Sequence, residues 1–402
     1  MELPFRNLKK ILNLIEKGVE ITNPYTIDIG DEVDINRISG KGVKIYPGCR
    51  IYGAKTVISA DSKIGYEGPV TIDDCQIGPK SELKGGFFNK AAFLEKSNMG
   101  LGAHVREGCI LEEEAGGAHC VGLKQTILFP FVTLGSLINF CDCFMAGGTS
   151  RKEHSEVGSS YIHFNYTPDG NKCTASLIGD VPRGVMLNKP PIFLGGQGGL
   201  VGPVRIGYGN VIAAGSIVRK NCSEDNKLII AETHKGLVRD FIPHSYKNIK
   251  RLLQNNFIYI SNLIALEQWY IYIRKSFFDK QELGDLIYEG ALEKLCLARK
   301  ERISRLKTLA EKAGAGNGMR AELTDRIDKI CEFFSNKNFD ENIIEKRDKF
   351  LTEFEIYRKE KDYIKTIKSL PIEITLQGTD WLQSIIDDIC AKTDAVLDLA
   401  DF

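Results

Sequence analysis

Residues able to move protons or hold anions crowd into Gly147 to Lys172, GGTSRKEHSEVGSSYIHFNYTPDGNK. This stretch carries His154 and His163, Asn165 and Tyr166, and the cations Arg151, Lys152 and Lys172. A histidine beside an asparagine or carboxylate suits general-base work near neutral pH. Loop lysines and arginines suit phosphate recognition. A polar loop with nothing bound has the same composition. An earlier cluster holds Arg106, Glu112, Glu113, Glu114, His119 and Lys124. Arg106 and Lys124 form either an anion platform or part of a surface ladder offset by the glutamates. Val181 to Pro191 is apolar and proline-rich. It reads as a rigid projecting loop that covers a site or, the preferred reading, packs on a neighbouring subunit. Cys141 and Cys143 read as alternating strand positions rather than a metal site, so no metal is expected.

These side chains need a scaffold. Residues 1–222 hold 32 of the 39 glycines and eleven of the thirteen prolines. An aliphatic residue followed by Gly recurs there: Ile29-Gly30, Ile64-Gly65, Ile77-Gly78, Leu101-Gly102, Leu134-Gly135, Val157-Gly158, Ile178-Gly179, Leu194-Gly195 and Ile206-Gly207. The spacing falls near multiples of six, the signature of a parallel β-helix of hexapeptide repeats. One aliphatic side chain per hexapeptide points into a narrow prism, and three hexapeptides close a coil. Residues 25–222 then allow about ten coils. A β-sandwich would instead show sustained period-two alternation. On this prism Arg106 and Lys124 are one coil apart and share a face.

Phe5, Leu8, Ile11, Leu12 and Ile15 have helical spacing and read as a helix that caps the open end, so residues 1–24 form a cap and hinge. Residues 223–402 read as an α-helical bundle, with apolar faces marked by Phe257, Ile260, Leu263 and Trp269, and later by Leu295, Leu306, Ile327, Phe350, Phe354 and Ile385. Arg299-Lys300-Glu301-Arg302 reads as a solvated helix face. The fold class is therefore β + α, a left-handed parallel β-helix followed by a bundle.

Composition excludes several functions. Across 402 residues, 53 basic side chains balance 53 acidic ones, which argues against nucleic-acid or anionic-membrane binding by bulk charge. The apolar run Phe257 to Ile273 contains Asn262, Glu267 and Gln268, so no membrane span is expected. No basic-then-apolar leader opens the sequence. Eleven cysteines without a CxxC pair fit a reducing, cytoplasmic setting.

Asn165-Tyr166-Thr167-Pro168-Asp169-Gly170-Asn171-Lys172, Ile178-Gly179-Asp180, Phe193-Leu194-Gly195-Gly196 and Ile212-Ala213-Ala214-Gly215 carry a family resemblance. Residues 10–222 resemble the acetyltransferase domain of the bifunctional N-acetylglucosamine-1-phosphate uridyltransferase/glucosamine-1-phosphate acetyltransferases. The resemblance implies a left-handed β-helix, a homotrimer with sites between prisms, and acetyl-CoA as co-substrate. It implies a sugar phosphate or sugar nucleotide as partner, in amino-sugar metabolism leading to UDP-N-acetylglucosamine. Arg106 and Lys124 then hold phosphate, Asn165 and Tyr166 orient the sugar and the base, and Lys172 stabilises charge. Gly196 and Ala214 line the acetyl-CoA side.

The family's catalytic histidine falls on Ser136 and a sugar-phosphate tyrosine on Asn139. Serine is no base for an amine proton at neutral pH, which leaves His154 or His163 to supply one. A non-catalytic sugar-nucleotide sensor or trimeric scaffold is the alternative, and a purely structural trimer a third. No glycine-rich nucleotide loop opens the chain, so uridyl transfer is not expected of it.

Overall fold

The computed structural model describes residues 6–164, 172–231, 236, 238, 240, 249–313, 319–335, 338–358 and 362–397. From Glu20 to Ile229 the chain winds as a parallel β-solenoid with three walls. Wall 1 holds eleven strands in sequence order. Walls 2 and 3 are likewise built from strands paired with their counterparts one coil away.

Register shows why this sequence winds. On wall 1, Ile64, Leu83, Met99, Gly117, Leu134, Val157, Leu194 and Ile212 pair in succession. On wall 3 the same holds for Ile58, Ile77, Phe93, Leu111, Leu128, Met145, Ile178 and Ile206. These columns fill the prism, and each fully buried aliphatic side chain is worth about 1.5–3 kcal/mol over exposure. Coils stack so closely at the corners that some positions exclude a side chain. A Cβ at Gly195 would lie 2.6 Å from the Ile212 carbonyl oxygen. The turn from wall 2 to wall 3 instead places a left-handed residue in six successive coils: Gly53, Asp74, Lys90, Gly108, Gln125 and Asp142 all have positive φ. Leu101-Gly102 does not belong to the inward series. Met99 and Gly100 do, and Leu101 is exposed.

Helix α1 (Leu8–Lys17) precedes the first coil and buries Ile11 and Leu14. Leu12 and Ile15, expected inward, are exposed, and Phe5 lies outside the described residues. Lys10 and Lys17 donate to backbone carbonyls of the first coil, which satisfies acceptors a bare end would leave open.

Helix α2 (Val181–Gly184) interrupts the late coils. Then come α3 (Ile249–Trp269), prolonged by a π-helical turn Tyr270–Arg274, and α4 (Lys275–Phe278). They are followed by α5 (Gly284–Ala313), α6 (Met319–Ser335), α7 (Glu341–Tyr357), α8 (Tyr363–Lys368) and α9 (Ile372–Val396). Helix α5 lies along wall 3. The outward residues of that wall, Ala92, Ile110, Ile127, Phe144 and Leu177, are all buried beneath the helices. Among the described residues no helix is long and apolar enough to cross a membrane.

Three expectations are corrected by this packing. The segment from Val181 does not project freely over residues 181–187, because the chain's own helices cover it. Its Val181 N–H donates to Asn262 Oδ1 (2.9 Å), Thr379 donates to the Pro182 carbonyl (3.2 Å), and Met186 and Leu187 are buried. Arg299 to Arg302 is not a solvated face, because Arg302 is 1% exposed and bonds Asp142 at 2.6 Å. Glu112 and Glu113 are not surface charges. Arg274 forks onto Glu113 at 3.0 and 2.5 Å, and Tyr270 donates to Glu112 at 2.6 Å. An apolar wall of the solenoid draws the helices onto it, and ion pairs fix where they sit.

Glu112 carries a consequence for pH. Burial pushes its carboxyl up to about 7 against the pull of Arg274. The folded chain therefore holds a proton that the unfolded chain releases above about pH 4.5. Its contribution to stability falls as pH rises from there to about 7 and then levels. Glu112→Gln removes that slope, so variant and wild-type urea midpoints should diverge in the variant's favour between pH 5 and 7.5.

Candidate functional site

The turn from wall 1 to wall 2 builds a second column. The Leu137 N–H donates to the His119 carbonyl, Ser160 to Ser136, Gln197 to Ser159, and Gly215 to Gly196. His119, Ser136, Ser159, Gly196 and Ala214 are thus equivalent corners of successive coils. Three residues singled out in the sequence, Ser136, Gly196 and Ala214, fall on one edge. His119 joins them, and its Nδ1 lies 2.8 Å from Ser136 Oγ. The Ser136 N–H in turn donates to Ser159 Oγ at 3.2 Å. The hydroxyl can donate to Nδ1 or accept from it. Either way it fixes the ring through one nitrogen and leaves Nε2 to solvent.

Wall 2 begins at this edge. Its outward positions include His104, Gly122, Asn139 and Ile162, aligned by register. Phe87 packs on His104 with ring centroids 5.1 Å apart. Gly122 leaves a notch between His104 and Asn139. Two residues further along the wall come Arg106 and Lys124, in adjacent coils, with the Arg106 N–H on the Leu123 carbonyl at 2.8 Å. They share a wall, as the coil spacing requires. Lys124 pairs with Glu107 at 2.8 Å, while Arg106 is exposed. Burial opposes the Glu107 charge, and Lys124 more than offsets it, so that carboxyl sits below its usual range.

The two candidate histidines lie elsewhere. His163 follows Phe140 and precedes Leu200 in the inward column of wall 2 and is 2% exposed. Its Nδ1 bonds the Cys141 carbonyl at 2.6 Å, which accepts, so Nδ1 carries the proton. Nε2 then accepts from Ser176 Oγ at 2.8 Å. Both nitrogens are spent inside the prism, where an amine substrate does not reach. His154 ends the hairpin Gly148–Ser150/Glu153–His154, at the corner that enters wall 1. Its Nδ1 is shielded and, among the described residues, without a partner. The Ser136 edge lies across wall 1 from it. Lys172 is exposed, and its carbonyl accepts from Arg302 at 3.1 Å. Asn165 and Tyr166 lie outside the described residues.

Burial drives the His163 imidazole down to about 4. The unfolded chain then binds a proton below about pH 6.5 that the folded chain refuses until about pH 4. This contribution is complete above pH 6.5 and lost as pH falls through that window. His163→Leu fits the column. It should cost about 1–3 kcal/mol at pH 7.5 by orphaning the Cys141 and Ser176 partners. It should also flatten the acid limb of a stability–pH curve.

The spacing in the sequence already signals His119: it lies 17 residues before Ser136, about one coil.

The chain is similar to proteins named "Bifunctional protein GlmU". It is 30% identical to that of Thermotoga maritima over 218 residues, covering 53% of this chain and 42% of the relative. Against that of Trichlorobacter lovleyi it is 27% identical over 223 residues, 55% and 43% of the two chains. Against that of Fervidobacterium nodosum it is 28% identical over 249 residues, 59% and 46%. The chain thus matches less than half the length of these curated relatives. No family model matches it.

Proposed function

We propose that this hexapeptide-repeat, acyltransferase-like protein transfers an acetyl group from acetyl-CoA to the amine of an amino-sugar phosphate, with His119 as the base. One observation carries the reading: the serine that stands where the resemblance puts a catalytic histidine holds a histidine from the preceding coil. The amine must be neutral to attack a thioester carbonyl. His119 Nε2 takes the proton shed as the C–N bond forms, and the proton passes on to the departing thiolate. Nδ1–H donates to Ser136 Oγ in this reading, which orients the ring and leaves Nε2 unprotonated to accept. Arg106 and Lys124 face the phosphate, with Glu107 competing for Lys124. Asn139 borders the sugar. Gly196 and Ala214, further along the same edge, offer the donor a surface without side-chain bulk. Asn165, Tyr166 and Lys172 keep the roles the resemblance implies. His154 and His163 do not serve as base in this reading.

Wall 3 is occupied by the chain's own helices, which leaves walls 1 and 2 for neighbouring copies. Leu137 and Leu101 on the shared edge are 55% and 46% exposed, and Phe164 and Ile217 extend an apolar strip on wall 2. A homotrimer joined along these surfaces is the assembly we favour. The competing reading is a sugar-nucleotide-binding scaffold, favoured by the commitment of Lys124 to Glu107.

Acetyl-CoA-dependent acetylation of glucosamine 1-phosphate, followed by thiol release, tests the reading. Arg106→Gln should raise KM about tenfold or more with kcat little changed, the loss of one charge-assisted contact made equally in ground and transition states. Calorimetry showing no binding of acetyl-CoA would favour the scaffold.

A further inference from the structure

The face of wall 1, which the chain's own helices leave open, changes character midway along the prism. Its outward column starts with the ion pairs Lys44–Glu20 and Lys63–Glu82, each at 2.7 Å. It then passes to the neutral Asn98, Gly116 and Thr133. A groove of about 370 Å³ opens there. Gly116 forms its floor. A Cβ at Gly116 would lie 2.6 Å from Asn98 Oδ1, so the Asn98 amide spans the space that glycine leaves. Lys84 and His119 stand on the rim toward wall 2, and Arg151 on the opposite rim.

Arg151 is unusual among the cations of this surface. It comes from the inserted hairpin and reaches back over two earlier coils. Its Nη1 donates to the Phe131 carbonyl (2.8 Å), the Glu114 carbonyl (3.1 Å) and Thr133 Oγ1 (2.8 Å). Among the described residues no carboxylate pairs with it, whereas Lys84 is paired with Glu67 at 3.1 Å. A guanidinium pinned through one nitrogen by neutral acceptors keeps Nε and Nη2 unspent, and its ordering entropy is already lost before any ligand arrives. Across the groove, His119 has Nδ1 held by Ser136 and Nε2 open.

We propose that this groove binds a phosphoryl group, free or carried on a small ester, with Arg151 as its main ligand and Asn98 and His119 completing the site. A planar carboxylate would be exhausted by the Arg151 fork. A tetrahedral oxyanion has further oxygens for donors on the other rim. The site uses neither Arg106 nor Lys124 and shares only His119 with the acyl-transfer reading, so each can fail without the other.

The test is calorimetry and histidine NMR on the full chain, with inorganic phosphate and glucose 1-phosphate as probes and chloride at matched ionic strength as control. Arg151→Gln should weaken phosphate binding tenfold or more, and Asn98→Ala about threefold. Phosphate should shift the His119 resonance in wild type and in an Arg106→Gln/Lys124→Gln double variant alike. Arg151→Lys, which keeps the charge, should bind between wild type and Arg151→Gln and controls for loosening of the hairpin. Tighter binding of the ester would identify the ligand as a sugar phosphate, and equal binding as the free anion. Unchanged affinity in Arg151→Gln, an unmoved His119 resonance, or binding abolished by the Arg106/Lys124 double variant would overturn the proposal.

Discussion

Arg302→Ala should lose about 3–5 kcal/mol of stability, the cost of removing one partner from a buried ion pair. Arg302 is 1% exposed, and its Nη2 bonds Asp142 at 2.6 Å while Nη1 bonds the Lys172 carbonyl. Asp142 itself is 4% exposed and occupies the left-handed turn between walls 2 and 3. Truncation leaves its carboxylate in a dry interface without the guanidinium. Asp142→Asn is the informative second change, because asparagine tolerates that backbone conformation and carries no charge. The double variant should be more stable than Arg302→Ala alone, although it contains one more substitution. Urea unfolding of the four proteins measures the coupling. A single-variant loss under about 1 kcal/mol, or no recovery in the double, would show that the pair does not hold the bundle to the prism.

The same interface left little trace in the sequence pattern. Stacking of one aliphatic residue per hexapeptide was legible, because inward positions recur and a wrong phase leaves a polar residue inside. Even the slip at Leu101 is explained: Met99 fills the column although it departs from the aliphatic–glycine pattern, and the pair that matches the pattern points out. Outward positions follow no such rule. Ala92, Ile110, Ile127 and Phe144 announce a covered wall only once register aligns them. The charged run around Arg302 looks solvated because its partner Asp142 is 160 residues away. Shared placement of Arg106 and Lys124 was legible from coil length, and so was the common edge of Ser136, Gly196 and Ala214. The base was not. His163 has the right chemistry in the list of residues and the wrong direction on the strand, since one residue along a wall reverses inside and outside. Val181 to Leu187 shows the same limit: apolar residues in a loop declare that something covers them, without saying that the cover is the chain's own α3 and α9.

His119→Ala should lower kcat for acetyl transfer by about 10²–10⁴-fold, the usual contribution of a positioned general base. KM for the sugar phosphate should change little, since Arg106 and Lys124 supply that binding. Ser136→Ala should cost about tenfold or less, as expected when a ring loses its orienting partner but keeps its basic nitrogen. Relocation provides the sharper outcome. Ser136 and His119 are equivalent corners of adjacent coils, so His119→Ala with Ser136→His moves the imidazole by one coil along the same edge. If the edge presents the amine where the proposal requires, this double variant recovers part of the rate. His119→Ala within about threefold of wild type would remove His119 from the mechanism, since a general base contributes far more than that. A double variant as inactive as His119→Ala would place the amine beyond reach of the Ser136 corner.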